Sequence, residues 1–198
     1  MAEVEIIEKP DSISWDEIHE ILLKAHADNR SKGIYMRTAD LSGEELRERL
    51  GDDGICYVAI VDGQLAGTAS IKFCERRRWY VNGTIGDFML TGVVPGFGGH
   101  GIYSALCQAR EDAARARGVA VLEMDTNENN LPVQKILAKR GFRHVSMFVS
   151  PYVRHYSVVM AKWLGECPYS DAYCRRRFLW ESFKIKLRYK PGRIKRLF

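Results

Sequence analysis

The chain has 198 residues, 46% of them apolar and 28% charged, which suits one globular domain with enough chain to bury a real core. No run of about 18 apolar residues occurs, and Met1-Ala2-Glu3-Val4-Glu5 is acidic rather than the head of an apolar signal core, so the expected location is the cytosol and a membrane-spanning chain is excluded. The formal charge of +5 is unevenly placed: residues 164–198 carry ten Lys/Arg against three Asp/Glu, while the preceding 163 carry 20 against 22. Cys56, Cys74, Cys107, Cys167 and Cys174 make an odd count without C-x-x-C spacing, which argues for reduced thiols and against a zinc site.

In chain order, Val4 to Ile7 reads as a short strand. Ser14-Trp15-Asp16-Glu17 is a capping box, and Trp15, Ile18, Ile21, Leu22 and Ala25 follow at helical spacing, predicting a helix to about Asn29. Ser42-Gly43-Glu44-Glu45 opens a second helix carrying Leu46 and Leu50. Between the two lies Ser31 to Met36, a packed connector or a substrate lid. Ile55 to Val61 and Gln64 to Phe73 are strands joined by Asp62-Gly63, a hairpin signal. Glu75-Arg76-Arg77-Arg78-Trp79-Tyr80 reads as a solvated loop, with attraction of an anionic acceptor as the sharper alternative. Thr84 to Val94 is a strand in which Gly92 suggests a bulge.

That strand runs into Pro95-Gly96-Phe97-Gly98-Gly99-His100-Gly101, and a helix from Ile102 to about Arg117 follows, stopped by Gly118. Glycines leave backbone N–H groups approachable, and they meet the unsatisfied donors and partial positive charge of the helix start, so a phosphate or pyrophosphate is the natural ligand. A plain strand-to-helix turn is the bland alternative. Neither Gly-x-Gly-x-x-Gly nor a P-loop is present. Val119 to Thr126 is the next strand, Asn130 caps a helix with Pro132 in its first turn, and that helix ends at Gly141-Phe142. Residues 142–149 and 152–163 complete the strands. Beyond them, Phe178, Leu179, Phe183 and Leu187 fall near one face of an amphipathic helix among basic residues.

The stretch from Val93 to Leu106 resembles the cofactor motif of the GNAT superfamily of acyl-CoA N-acyltransferases, in which V-x-P is followed by Gln/Arg-x-x-Gly-x-Gly/Ala. Val93, Pro95, Gly101 and Leu106 match, whereas Gly98 stands where Gln/Arg is usual and Tyr103 where a small residue is usual. A second family motif, Asn-x-x-Ala-x-x-x-Tyr-x-x-x-Gly-Phe, is met by Asn130, Gly141 and Phe142, with Val133 for Ala and Leu137 for Tyr. The resemblance covers residues 4 to about 163. It implies an α/β (α+β) fold with a mixed, mostly antiparallel seven-stranded sheet flanked by helices, formed by residues 1–163; residues 164–198, from their own apolar spacing and charge, read as an extra basic helix packed on the domain or a partner.

It also implies acetyl-CoA as co-substrate without a metal, held by Val93, Val94, Gly98, Gly99, His100, Gly101, Ile102, Tyr103 and Asn130. Acyl transfer needs a neutral amine, an oxyanion donor and a proton for the leaving thiolate. Asp87, six residues before Val93, stands at the spacing of the general base in histone-modifying members; Glu123 is a rival, and a structural Asp beside Gly86 is the bland alternative. The backbone N–H near Val93 and Val94 is the implied oxyanion donor. Leucine at 137 cannot protonate a thiolate, so another group or water does, or the thiolate leaves unaided. The expectation is an N-acetyltransferase acting on a small primary amine, with an amino sugar or sugar nucleotide, as in members associated with bacterial surface polysaccharide, as first guess and direct attack in a ternary complex. A non-catalytic acyl-CoA-binding regulatory domain is the rival. For the tail, packing on the domain or in a homodimer is set against an anionic membrane surface, and nucleic acid is not expected.

Overall fold

The computed structural model describes residues 4–32, 34–98, 100–150 and 155–189. Seven strands form one sheet in the order β1-β2-β3-β4-β5-β7-β6: β1 (Val4–Glu8), β2 (Ile55–Val61), β3 (Gln64–Arg78), β4 (Val81–Val93), β5 (Val121–Asn127), β6 (Arg143–Val149) and β7 (Tyr156–Trp163). Every pairing is antiparallel except β4 with β5. The Asp62-Gly63 turn has positive φ at both residues, as a two-residue hairpin with right-handed strand twist requires.

Both capping boxes form. Ser14 starts α1 (Trp15–Ala25) and Ser42 starts α3 (Gly43–Leu50), each Ser side chain accepting from the N3 backbone while the N3 Glu reaches back. The first helix stops at His26, earlier than its periodicity suggests, and the chain continues as the one-turn α2 (Ala27–Ser31) and a 3-10 turn, Arg37–Asp40. On this face Ile18, Leu22, Leu46 and Leu50 bury against Cys56, Val58 and Leu90. On the other face lie α4 (Ile102–Ala116) and α5 (Leu131–Lys139), where Cys107, Ala114 and Leu137 bury against Ile71, Phe88, Leu122 and Met160. All five cysteines are unpaired.

Two sequence expectations are corrected here. Residues 75–80 are not a solvated loop: β3 continues to Arg78, Arg78 pairs with Val81, and the turn residue Tyr80 is buried beside Ile85, Val121 and Val145. The aromatic pair closes the end of the sheet, which a run of arginines conceals in the sequence. Nor does Gly92 form the bulge. It pairs regularly with Thr68, and its missing side chain allows close packing, since a Cβ there would lie 2.7 Å from Cβ of Ala25 on α1. The register instead slips between Thr68 and Ser70, opposite Leu90, whose φ is +48°.

The C-terminal helix α6 (Asp171–Arg188) is capped by Ser170 and lies along β6 at the sheet edge. Phe178, Ile185 and Tyr189 pack on Met147, Tyr156 and Val158. Phe178 therefore points inward while Leu179, Phe183 and Leu187 are exposed, so these four do not share a face as their spacing suggested.

Candidate acyl-transfer site

The parallel pair β4 and β5 is hydrogen-bonded only over Ile85–Asp87 and Val121–Glu123. Beyond Asp87 and Glu123 the strands part, and the bulge at Leu90 turns β4 away. A gap between two parallel strands leaves backbone donors and acceptors on both inner edges without a strand partner, which is a site for an extended chain carrying amides. The direction of the donors follows from the ladder. The Val94 N–H is bonded to Ala66 O at 2.8 Å, and alternate residues of a strand point their N–H groups to opposite sides, so the Val93 N–H points away from β3 and into the gap. Of the two residues expected to supply an oxyanion donor, Val94 is thereby removed and Val93 retained.

At the end of β4 the chain turns through Phe97, whose N–H bonds to Val94 O, and enters α4 at Gly101. Gly101 has φ +72°, a left-handed conformation costly to residues with a side chain, and no side chain caps the helix. The first helical bond runs from Ala105 N–H to Gly101 O, so the N–H groups of Ile102, Tyr103 and Ser104 have no intrahelical acceptor. A Cβ added at Gly98 or Gly101 would meet no atom within 4 Å. Open space in front of uncapped donors fits a pyrophosphate. His100 is exposed at this mouth, whereas the Ile102 side chain is buried with Leu106, which leaves only its backbone N–H on this side. Gly99 lies outside the described residues.

The remaining residues expected to hold the cofactor are placed differently. The ring of Tyr103 packs on the cluster containing Cys107, Leu137 and Phe142, and burial pushes its phenol up. Leu137 itself is fully buried there. Three of the four departures from the family pattern thus meet in one apolar cluster, Tyr103 on α4 with Val133 and Leu137 on α5. Asn130 precedes α5 but makes no side-chain cap; its amide donates to Thr126 Oγ1 at 3.1 Å, tying the helix start to β5.

Asp87 sits at the closed end of the gap, on the last residue pair before the strands part. Its side chain is 24% exposed and lies 3.5 Å from the Arg76 guanidinium. Burial first, then the charges of Glu123 and Asp125, raise its pKa to about 7, and Arg76 and Arg49 only partly oppose this. Glu123 is the poorer base, because Tyr80 donates to its Oε2 at 2.5 Å and Arg76 lies 3.7 Å from its Oε1. A recess of about 200 Å³ with a mixed lining opens beside them, walled by Phe88 to Thr91 of β4 and Met124 to Asn127 of β5. Tyr35 to Thr38, Arg49 and His26 close it from the α1 side. The connector read as either packed or a lid is therefore split: Ile34 is buried, and Tyr35 and Met36 line the recess.

Sequence reasoning missed two residues. His26 lines the recess, its Nδ1 3.2 Å from the Asn29 amide, and burial holds it below the usual histidine range and so neutral at pH 7. Arg110 is fully buried behind the gap. Its guanidinium donates to Thr91 Oγ1 at 2.7 Å and Ser70 O at 3.5 Å, on either side of the bulge, and stacks on Phe88 at 3.8 Å. Thr91 Oγ in turn donates to Met89 O across Leu90. Its position four residues after Leu106, on the buried stripe of α4, was the available signal.

The family profile described as Acetyltransferase (GNAT) family matches residues 15–142. Among curated proteins there is no sequence match. Among solved structures, a GNAT-family acetyltransferase from Staphylococcus aureus Mu50 superposes with TM-score 0.63 at 17% identity, over 82% of this chain and 100% of that one. The ribosomal-protein-S18-alanine N-acetyltransferase from Escherichia coli gives 0.61 at 17%, over 85% and 100%. The PaiA N-acetyltransferase from Thermoplasma acidophilum in complex with coenzyme A gives 0.61 at 16%, over 81% and 99%. Strand order, parted parallel strands, uncapped helix start and family profile coincide, and the chain belongs to the GNAT acetyltransferase family, whose members are acyl-CoA-dependent N-acetyltransferases.

Proposed function

We propose that the chain transfers an acetyl group from acetyl-CoA to the primary amine of a small polar acceptor, an amino sugar or sugar nucleotide, by direct attack while both substrates are bound. The observation that carries this reading is the Asp87 carboxyl at the closed end of the β4–β5 gap, with a pKa of about 7. A general base works best when its pKa lies near the operating pH. Acetyl-CoA supplies the activated acyl group as a thioester. The α4 start and the open loop before it, with Val93, Gly98, His100, Gly101 and Tyr103 at its edge, would hold the pyrophosphate and the pantetheine amides.

The Val93 N–H is aimed into the gap and serves as donor to the developing oxyanion. Asp87 takes the proton of the acceptor ammonium, directly or through one water, which leaves the amine a free lone pair. Leu137 is hydrocarbon in the core, so no proton comes from that position; water or another group protonates the thiolate, or it leaves unaided, which an ordinary thiol pKa near 8.5 makes tolerable. The acceptor class is supported by the recess: about 200 Å³ suits a sugar-sized molecule, and Arg37 and Arg49 on its wall suit a nucleotide phosphate.

Free CoA thiol is measured while acetyl-CoA and a panel of amines, hexosamines and their nucleotide derivatives among them, are varied together. The expected result is amine-dependent release, intersecting initial-rate lines and a product heavier by one acetyl group. Parallel lines would replace direct attack by a covalent intermediate. Tight acetyl-CoA binding with no release across the panel would replace the enzyme by a regulatory acyl-CoA-binding domain.

A further inference from the structure

The inner side of α6 is accounted for by its packing on β6 and β7, and its outer side is not. Among the described residues eight large hydrophobic side chains are exposed, and five of them lie on this one helix. Leu179, Trp180, Phe183 and Leu187 are 57%, 54%, 57% and 64% exposed, and at helical spacing they form one outward strip. The Trp180 and Phe183 rings stack at 6.2 Å, giving the strip a broad aromatic centre. Exposed basic residues border it: Lys184 and Arg188 on one flank, Arg175 and Lys186 on the other, and Arg176 in line with it near the start. Of these flank cations Lys184 pairs with Glu181 and Lys186 with Glu128, Asp171 is taken up by Arg143, and Arg175, Arg176 and Arg188 have no carboxylate partner among the described residues.

We propose that α6 docks the protein on an anionic lipid surface, its apolar strip entering the headgroup boundary and its basic flanks meeting lipid phosphates. A helix with a hydrocarbon and aromatic strip between cationic flanks is the arrangement that binds in the plane of such an interface. The strip needs an apolar partner and the flanks an anionic one, and an anionic bilayer supplies both at the same depth. A second copy of this helix would set arginine against arginine, and nucleic acid would leave Leu179 and Leu187 without apolar contact. The charge distribution of the chain agrees, with residues 164–198 carrying seven more basic than acidic side chains and the rest carrying two fewer. The attachment is peripheral, because no helix among the described residues is long and apolar enough to cross a membrane.

The full chain is sedimented with phosphatidylcholine vesicles, with and without phosphatidylglycerol, over a range of salt. Expected are binding to the anionic vesicles alone, weakening with salt, and a drop in partitioning of about tenfold or more for Trp180→Ser/Phe183→Ser and for Arg176→Glu/Arg188→Glu. All four positions are exposed, and unchanged thermal unfolding of both variants shows that the loss is one of contact. Three results overturn the proposal: no binding to anionic vesicles; binding that both variants keep; or, in place of vesicle binding, dimerisation or retention of an RNA oligonucleotide that the same substitutions abolish.

Discussion

Asp87 and Arg110 are both charged groups set against the interior, and each makes a different demand on the fold. For Asp87 the folded-state pKa lies above the unfolded value of 3.8, so between about pH 4 and pH 7 the folded chain keeps a proton that the unfolded chain has released. Stability therefore falls as pH rises through that window, the cost of holding an ionised carboxylate beside Glu123 and Asp125. Asp87→Asn removes that charge, and its unfolding temperature relative to the native chain is expected to rise between about pH 4 and pH 7 and to level off above. A difference that is flat with pH would mean that Asp87 titrates normally. Arg110 has no carboxylate among its contacts: Glu111 beside it pairs instead with Arg140 at 3.0 Å and Lys162 at 2.7 Å. Arg110→Ala leaves Ser70 O and Thr91 short of a donor and opens a void, and is expected to cost about 3–5 kcal/mol in denaturant unfolding. Arg110→Met fills the space and should recover most of that; equal losses in the two variants would argue against the packing account. Neither residue's environment was legible beforehand, since spacing placed Asp87 on the strand but only the pairing of β4 with β5, which puts Glu123 opposite it, sets it among acids.

The strand-to-helix junction is where local chemistry reads most directly from sequence. Pro95 and the glycines announced the end of β4 and the start of α4, and both occur there because no partner strand or cap competes for those N–H groups. Gly101 and Gly98 should nevertheless respond oppositely to substitution. Gly101 has positive φ and Gly101→Val strains the helix entry, so calorimetry should show CoA affinity falling by about tenfold or more, roughly the 1–2 kcal/mol that a left-handed residue costs. Gly98 has ordinary φ with open space at its Cβ, so Gly98→Arg, which restores the side chain usual in the family, is expected to leave the fold intact and tighten CoA binding. Unchanged affinity in both variants would place the cofactor elsewhere. The bulge was harder to place: Gly92 drew attention to itself for want of a side chain, yet that lack serves contact with Ala25, while Leu90, which takes the positive φ, carries no sequence mark.

At the scale of the molecule, the element order and the two motifs made the fold legible, and the sheet order with a single parallel neighbour pair followed. What could not be read was which face of α6 meets the sheet, because apolar residues occupy both faces and only the docking onto Met147, Tyr156 and Val158 selects one. Truncation before Ser170 is expected to lower the unfolding temperature, as it uncovers the edge strand β6 and that cluster; a truncated chain as stable as the full one would make the helix an independent appendage. The proposed catalysis depends on the sheet holding a base of near-neutral pKa where the β4–β5 gap closes. The most direct test is the pH profile of kcat for the native chain and Asp87→Asn on an accepted amine. The native profile should rise with an apparent pKa near 7, and the variant should lose about 10²–10⁴ in kcat with little change in acetyl-CoA affinity, recovering in part at high pH where the amine is already neutral. A variant with native kcat and a native profile would contradict it.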